Sequence, residues 1–368
     1  MRFTALATAS LLLPAVGLGL AVQDPSTSYE WMVALALLCG LGGGNFASSM
    51  AHISFFYPEA GKGSALGLNA GLGHLGIALV QGVVPLVIAV GLFGPLGGAP
   101  QATAQGPLWL QNAGFIWVPL ILASAVAAWF GMDDLAQARA GFAEQAVIFT
   151  RRHNWLVCWL YLGSFGSFIG FSAGLPMLLH SQFNVAGAGP YPAWAAAGPL
   201  LGALLRPLGG WLADRAHGGA RLTLGCFVAM AAGAATVLMS LPAPGQGAHF
   251  GGFAIGFGLL FAASGLANGS LFHMIPTIFV AGRRQAAGPL PSEQARASQA
   301  GQLEAAAVLG FASAIGAYGG FFIPKSYGTA IALTGSPAAA LGVFIAFYLS
   351  CIAVTWWHYG RRHAAMPC

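Results

Sequence analysis

Arg206 is the one charged residue in AAAGPLLGALLRPLGG, an otherwise apolar stretch. An Arg at the centre of a membrane helix costs about 2.5–3.5 kcal/mol on insertion scales, so this one should face the protein interior and meet an anion. Its guanidinium stays charged and offers paired N–H donors to two oxygens of a single anion. The competing reading is a structural Arg near the helix end that reaches back to Asp214. A second polar set lies in LGLNAGLGHLGIALVQ at 66–81, where Asn69, His74 and Gln81 stand among apolar residues and Gly67, Gly71, Gly73 and Gly76 recur. Each Gly in a helix interior costs roughly 1 kcal/mol against Ala, so something must be gained from close approach of backbone. Tyr161 and Phe165 are four residues apart and share one helix face, with a hydroxyl available to donate. Packing is the commoner role for such aromatics and glycines. Paired intramembrane carboxylates, His-x-x-x-His spacing and a nucleophile with its base are all missing; His52 and His74 are isolated and Glu304 opens a helix. An enzyme is therefore disfavoured, and no metal or cofactor is implied.

The elements that must carry these residues are membrane helices. The chain is 57% apolar and only 6% charged, whereas a soluble domain carries about 25% charged residues. Apolar runs near 4–22, 30–56, 64–94, 112–132, 154–180, 190–212, 222–241, 250–280, 303–323 and 337–359 predict an all-α polytopic protein in a lipid bilayer. Glycine, 54 of 368 residues, suits helices that associate by close packing where lipid removes the apolar drive. The net charge of +5 sits in short connections and does not indicate nucleic acid. Cys39, Cys158, Cys226, Cys351 and Cys368 are scattered, with no disulfide framework or metal spacing.

Charge alternates between connections. Arg2, Lys62, the group Arg139, Arg151 and Arg152, then Arg215 and Arg221, then Arg283, Arg284 and Arg296, and finally Arg361 and Arg362 fall on one side; Lys325 alone falls on the other. The positive-inside rule makes the first side cytoplasmic and places both termini there. The polar segment 133–153, DDLAQARAGFAEQAVIFTRRH, reads as a cytoplasmic linker between a four-helix bundle at 1–132 and a six-helix bundle at 154–368. The stretch 281–302 reads as a flexible cytoplasmic loop.

An internal repeat bears on the count. The third helix of the later bundle opens at Arg221-Leu222-Thr223, and the chain opens Met1-Arg2-Phe3-Thr4. If the two starts correspond, the first bundle begins at its third helix, and the chain presents helices 3–12 of a twelve-helix pattern with a two-helix segment missing. Residues 1–22 can also be read as a signal peptide; the bundle arithmetic favours a span.

GGWLADRAHGGAR, with Gly210, Asp214, Arg215 and Arg221, resembles the cytoplasmic loop motif G-x-L-x-D-R-x-G-x-R of the major facilitator superfamily. GLGGGNFASSMAHISFFYP at 40–58, SALGLNAGLGHLG at 64–76 and AVLGFASAIGAYGGFFIPKSYG at 307–328 are similar to the nitrate/nitrite porter family within it. The glycine-rich segments 66–76 and 310–320, the latter with Gly310, Gly316, Gly319 and Gly320, match its two signature motifs. The resemblance implies transport of nitrate or nitrite by alternating access across a bacterial-type inner membrane. Family members divide between nitrate/nitrite exchange and proton-coupled uptake; exchange is favoured here. It also implies an anion-binding role for Arg206 and a lining role for Phe46, Tyr161 and Phe165, with His74 and Asn69 beside them. Two departures stand out. His74 replaces the Asn of G-x-G-N-x-G, either as a substitute donor or as the bearer of a pH-linked step. The family's second substrate Arg would lie about fifteen residues before Arg2, by the spacing of Arg206 and Arg221. A truncated, non-transporting protein, or one part of a two-chain transporter, is the alternative.

Overall fold

The computed structural model describes residues 2–58, 61–103, 106–132, 141–183, 191–216, 218–242, 249–361, 363, 364 and 366. Most of the linker's first half (133–140), the 184–190 and 243–248 connections, Arg362 and Cys368 lie outside the described residues. Among those described, nine helices are long and apolar enough to cross a membrane. They are α1 (Arg2–Ala21), α2 (Tyr29–Met50), α3 (Lys62–Val87), α4 (Asn112–Gly131), α5 (Arg152–Gln182), α7 (Gly219–Met239), α8 (Phe250–Ala286), α9 (Pro291–Thr334) and α10 (Ala338–Gly360). A tenth helix, α6 (Tyr191–Ala216), carries Arg206 and two internal prolines, Pro199 and Pro207.

Contacts divide the chain into two compact units, and they do not follow chain order. One comprises 1–49 and 79–136; the other comprises 50–78 and 137–368. Residues 50–78, which chain order assigns to the first bundle, thus pack with the later helices. In the first unit the helices close on small residues. A Cβ at Gly17 would meet Leu35, one at Gly19 would meet the Phe115 ring, and one at Gly114 would meet the Ala15 carbonyl. The neutral 95–111 connection contains a short hairpin, Gln101–Thr103 antiparallel to Gly106–Leu108. Asn112 ties its end to the chain leaving α3, donating to the carbonyls of Val87 (3.0 Å) and Val90 (2.8 Å). Large apolar side chains such as Leu6, Leu86 and Phe130 remain exposed, as lipid-facing positions require.

In the second unit the core is aromatic. Phe168, Phe171, Phe257 and Phe261 interlock edge to face at centroid distances of 5.7–6.4 Å, the arrangement that ring quadrupoles favour.

Two local expectations change. The 281–302 stretch is mostly helical: α8 runs on to Ala286 and α9 begins at Pro291. Arg283 and Arg284 suit a helix C-terminus, and Pro291 with Glu293 suits a helix start. Gln294 Nε2 closes the break by donating to the carbonyls of Gly288 (2.9 Å) and Arg284 (3.2 Å). The motif read as a loop at 209–223 is also largely helical, since α6 continues through Asp214 and Arg215, and Arg221 lies in the first turn of α7.

Candidate functional site: a buried arginine among aromatic rings

Arg206 is fully buried on α6. Its Nη1 donates to His74 Nδ1 at 2.7 Å, while Nε and Nη2 have no hydrogen-bond partner in the protein. Those two nitrogens lie along one edge of the planar guanidinium, the edge that grips two oxygens of a planar anion side by side. The charge is partly balanced by rings: Cζ stands 4.2 Å from the Phe168 centroid and 5.4 Å from that of Phe165. Cation–π contacts of this kind are worth about 2 kcal/mol when desolvated. The Asp214 reading does not hold, because that carboxylate is engaged elsewhere.

His74 is held between the same rings, edge-on to Phe165 (5.2 Å, 79°) and Phe168 (5.7 Å, 87°). Its Nδ1 is also 2.6 Å from the Ala70 carbonyl. A guanidinium only donates and a carbonyl only accepts, so one ring nitrogen cannot satisfy both at once. Either Nδ1 lends its lone pair to Arg206, or it carries the proton and donates to Ala70. An Asn has separate donor and acceptor atoms and could serve the two partners together. His74 therefore differs from an amide in how many partners it can satisfy here at once.

The approach of α3 to α6 depends on two glycines. A Cβ at Gly67 would sit 2.8 Å from the Arg206 carbonyl, and one at Gly71 would sit 2.7 Å from that of Ala203. Pro207 explains the second contact: lacking an N–H, it leaves the Ala203 carbonyl without its helical donor, and Gly71 closes on that oxygen and on the Pro207 ring. Gly73 and Gly76, in the same stretch, face open space among the described residues.

Tyr161 immediately precedes a π-turn at Leu162–Gly166 in α5, and Phe165 lies within it. Such turns shift helix register and concentrate at functional sites. The two rings stand 5.3 Å apart, and Gly316 makes room for both, since a Cβ there would meet Phe165 at 2.7 Å and Tyr161 at 2.9 Å. Gly319 and Gly320 continue the contact, against Gly166 backbone and Ile169 respectively. The Tyr161 hydroxyl lies 3.4 Å from Ser313 Oγ.

The structure thus brings Arg206, His74, Phe165 and Tyr161 together. Asn69 donates to the Met50 sulfur at 3.6 Å. Phe46 lies on α2 in the other unit, and its grouping with Tyr161 and Phe165 rests on the resemblance alone. Residues missed in the sequence are Phe168, one turn from Phe165 and the nearer ring to Arg206, and Asn268 on α8, whose signal was a lone amide in the apolar run GLANGSLF.

Two charged clusters flank the helix ends of this unit. Asp214 caps α3: Oδ2 accepts from Ser64 N (2.8 Å) and Ser64 Oγ (2.6 Å), and Oδ1 from Gly63 N (3.2 Å) and His273 Nδ1 (2.9 Å). Gly210 has no room for a Cβ because it abuts the Gly63 carbonyl. Glu304 receives both Arg151 (3.0 Å) and Arg283. Among the described residues no three His, Cys, Asp or Glu side chains gather as metal ligands would.

Comparison with known proteins places this geometry. The profile of the Major Facilitator Superfamily matches residues 2–288. The nitrate/nitrite transporter NarU of Escherichia coli K12 is 46% identical over 366 residues, covering 98% of this chain and 77% of that protein. The probable nitrate/nitrite antiporter NarK2 of Thermus thermophilus is 36% identical over 371 residues, with the same coverage of 98% and 77%. In fold, the chain is similar to the crystal structure of the E. coli fucose:proton symporter FucP, with a TM-score of 0.60 at 13% identity over 96% of this chain and 83% of that one.

Proposed function

Because the chain belongs to the major facilitator superfamily, and within it to the nitrate/nitrite porter family, we propose that it carries nitrate and nitrite across the membrane by alternating access, with Arg206 as the anion-binding cation. It is a multi-pass membrane protein of a transporter family rather than an enzyme. The observation that carries the substrate reading is the free Nε–Nη2 edge of a fully buried guanidinium flanked by aromatic faces. A buried cation without a carboxylate partner is costly, and a flat monovalent anion with two oxygens on that edge removes the cost. Larger or doubly charged anions gain less among the rings.

Exchange of one anion for the other is the favoured mode. A carrier that crosses the membrane always loaded never exposes the uncompensated Arg206 charge to the apolar core. The same reading puts the protein in a bacterial-type inner membrane with both termini cytoplasmic. It also treats 1–132 and 154–368 as the two bundles on either side of the 133–153 linker.

The test uses the full chain in proteoliposomes loaded with nitrite and supplied with external labelled nitrate. Uptake should require internal nitrite or nitrate and should persist when the proton gradient is collapsed. Arg206→Lys, which keeps the charge but loses the planar fork, should lower uptake by at least about tenfold, one or two hydrogen bonds to a charged group being worth about 1.5–3 kcal/mol each. Unimpaired uptake by Arg206→Lys would remove Arg206 from the anion's path. Uptake driven by a proton gradient without internal anion would replace exchange by symport.

A further inference from the structure

Asn268 is a fully buried amide on α8, and neither its Oδ1 nor its Nδ2 has a hydrogen-bond partner. It is the exception on its own helix: Ser264 donates to the Phe261 carbonyl at 3.0 Å and Ser270 to that of Gly219 at 2.7 Å. Burying an amide unpaired costs at least about 1–3 kcal/mol on mutational scales, so a matching group is expected at the site.

Its position identifies that group. The next residue, Gly269, lies against α6 so closely that a Cβ would strike the Arg206 carbonyl, and Gly265 does the same at Gly202. Asn268 is therefore in the layer of Arg206. One turn on, Phe272 stands 6.1 Å from the Tyr161 ring, and the Asn268 amide lies near enough to the Tyr161 hydroxyl to bear on it electrostatically. Three helices thus meet in one layer: α6 with Arg206, α5 with Tyr161 and α8 with the unpaired Asn268 amide.

We propose that Asn268 is the residue that reads the third oxygen of nitrate and so sets the preference of the Arg206 centre for nitrate over nitrite. The proposal rests on the anion reading above. With two oxygens on the Nε–Nη2 edge, the third oxygen of nitrate points away from the guanidinium and takes the Nδ2 proton. With the anion bound, the Tyr161 hydroxyl, which already lies beside the amide, donates to Oδ1 and fixes its orientation. Nitrite gripped by the same edge ends at its nitrogen, one bond length short of the amide. Chloride has no directional acceptor to present at all. Asn268 is thereby a specificity residue, acting on one substrate and not on the other.

The experiment measures binding of sodium nitrate and sodium nitrite separately to the purified full chain, by titration calorimetry with thermal unfolding alongside. The variant is Asn268→Leu, close in shape and without polar atoms; Asn268→Ser, a donor on a shorter arm, carries the same test should the first fail to fold. Asn268→Leu should raise the nitrate Kd by up to about tenfold, the worth of one hydrogen bond, and leave the nitrite Kd unchanged, while the unfolding midpoint without anion stays the same or rises because an unpaired buried amide is removed. Asn268→Ser should fall between the parent and the Leu variant for nitrate alone. An unchanged nitrate Kd, or equal weakening of both anions, would overturn the proposal while leaving Arg206 in its role. Failure of the parent chain to bind either anion would overturn the anion reading and this one with it.

Discussion

The two kinds of glycine in 66–76 allow a test of the α3–α6 contact that cancels its main confounder. A Cβ at Gly67 would lie 2.8 Å from the Arg206 carbonyl and 3.2 Å from Pro207 Cα, and both obstacles are backbone that no rotamer change can move. Reaching ordinary contact requires the helices to separate by about 0.6 Å, a gap that forfeits a quarter or more of the dispersion well for each contact it opens. Overpacking of this kind costs about 1–3 kcal/mol. At Gly73 the same Cβ meets open space. The helix-propensity gain of Ala over Gly, roughly 1 kcal/mol, is common to both sites, so the difference between the two variants isolates the packing cost. At about 1.3 °C per kcal/mol for a chain of 368 residues, Gly67→Ala should unfold about 1–4 °C below Gly73→Ala when purified protein is heated in detergent at one fixed scan rate. Gly71→Ala, facing the Ala203 carbonyl at 2.7 Å, should behave as Gly67→Ala does. If Gly67→Ala melts at or above Gly73→Ala, close backbone approach is not what these glycines supply.

Further outcomes follow from the same geometry. His74→Asn supplies one atom to accept from Arg206 and another to donate to Ala70, so nitrate KM in the liposome assay should stay within about threefold of the parent. His74→Leu leaves Nη1 buried and unpaired, a loss of about 1–3 kcal/mol, and should lower the unfolding midpoint; equal behaviour of the two variants would contradict the pairing. Asp214→Ala removes the cap of α3, worth about 1–2 kcal/mol, and should lower the midpoint by about 1–3 °C, with Asp214→Asn intermediate. An unaltered midpoint in Asp214→Ala would show that Gly63 and Ser64 do not depend on it.

Much of the architecture was legible because lipid imposes it. Ten apolar runs correspond to ten helical segments, since a backbone in hydrocarbon must satisfy its own hydrogen bonds. Arg206 was legible for the same reason, as the one cation that apolar neighbours cannot explain. The 281–302 stretch was misread because polarity signals exposure to water and not loss of helix; the interaction of Glu304 with Arg151 and Arg283 holds a charged helical segment that hydropathy alone takes for a loop. Phe168 was missed for a different reason. Phenylalanine is abundant here, 25 residues, and the π-turn at 162–166 changes which ring of α5 reaches the centre, a shift that no helical periodicity encodes. The packing of 50–78 against later helices was hidden as well, because part of it passes through Gly67 and Gly71, which leave no hydrophobic pattern to read.

The centre also explains why its parts are so dissimilar. A guanidinium buried among rings needs compensation, yet a carboxylate partner would neutralise it permanently and leave nothing for a weakly basic anion to do. His74 gives Arg206 a neutral acceptor on one nitrogen only, and Phe168 gives it a face at 4.2 Å. Each is strong enough to keep the cation in place and too weak to discharge it. The remaining edge, with the Asn268 amide in the same layer, is left under-satisfied, so that on the proposed reading an incoming anion completes a set of hydrogen bonds instead of displacing one. Because Nδ1 accepts from Nη1 only when the imidazole proton is on Nε2, and donates to the Ala70 carbonyl only when the proton is on Nδ1, a change of partner requires the proton to move between the two ring nitrogens. That exchange of partners lies on α3, the helix whose glycines touch α6 beside Arg206 and Ala203. If Arg206 binds the anion as proposed, anion binding and helix contact meet at a single imidazole nitrogen, and a substitution that gives both partners what they need at once, as Asn does, should loosen the link between them without weakening either.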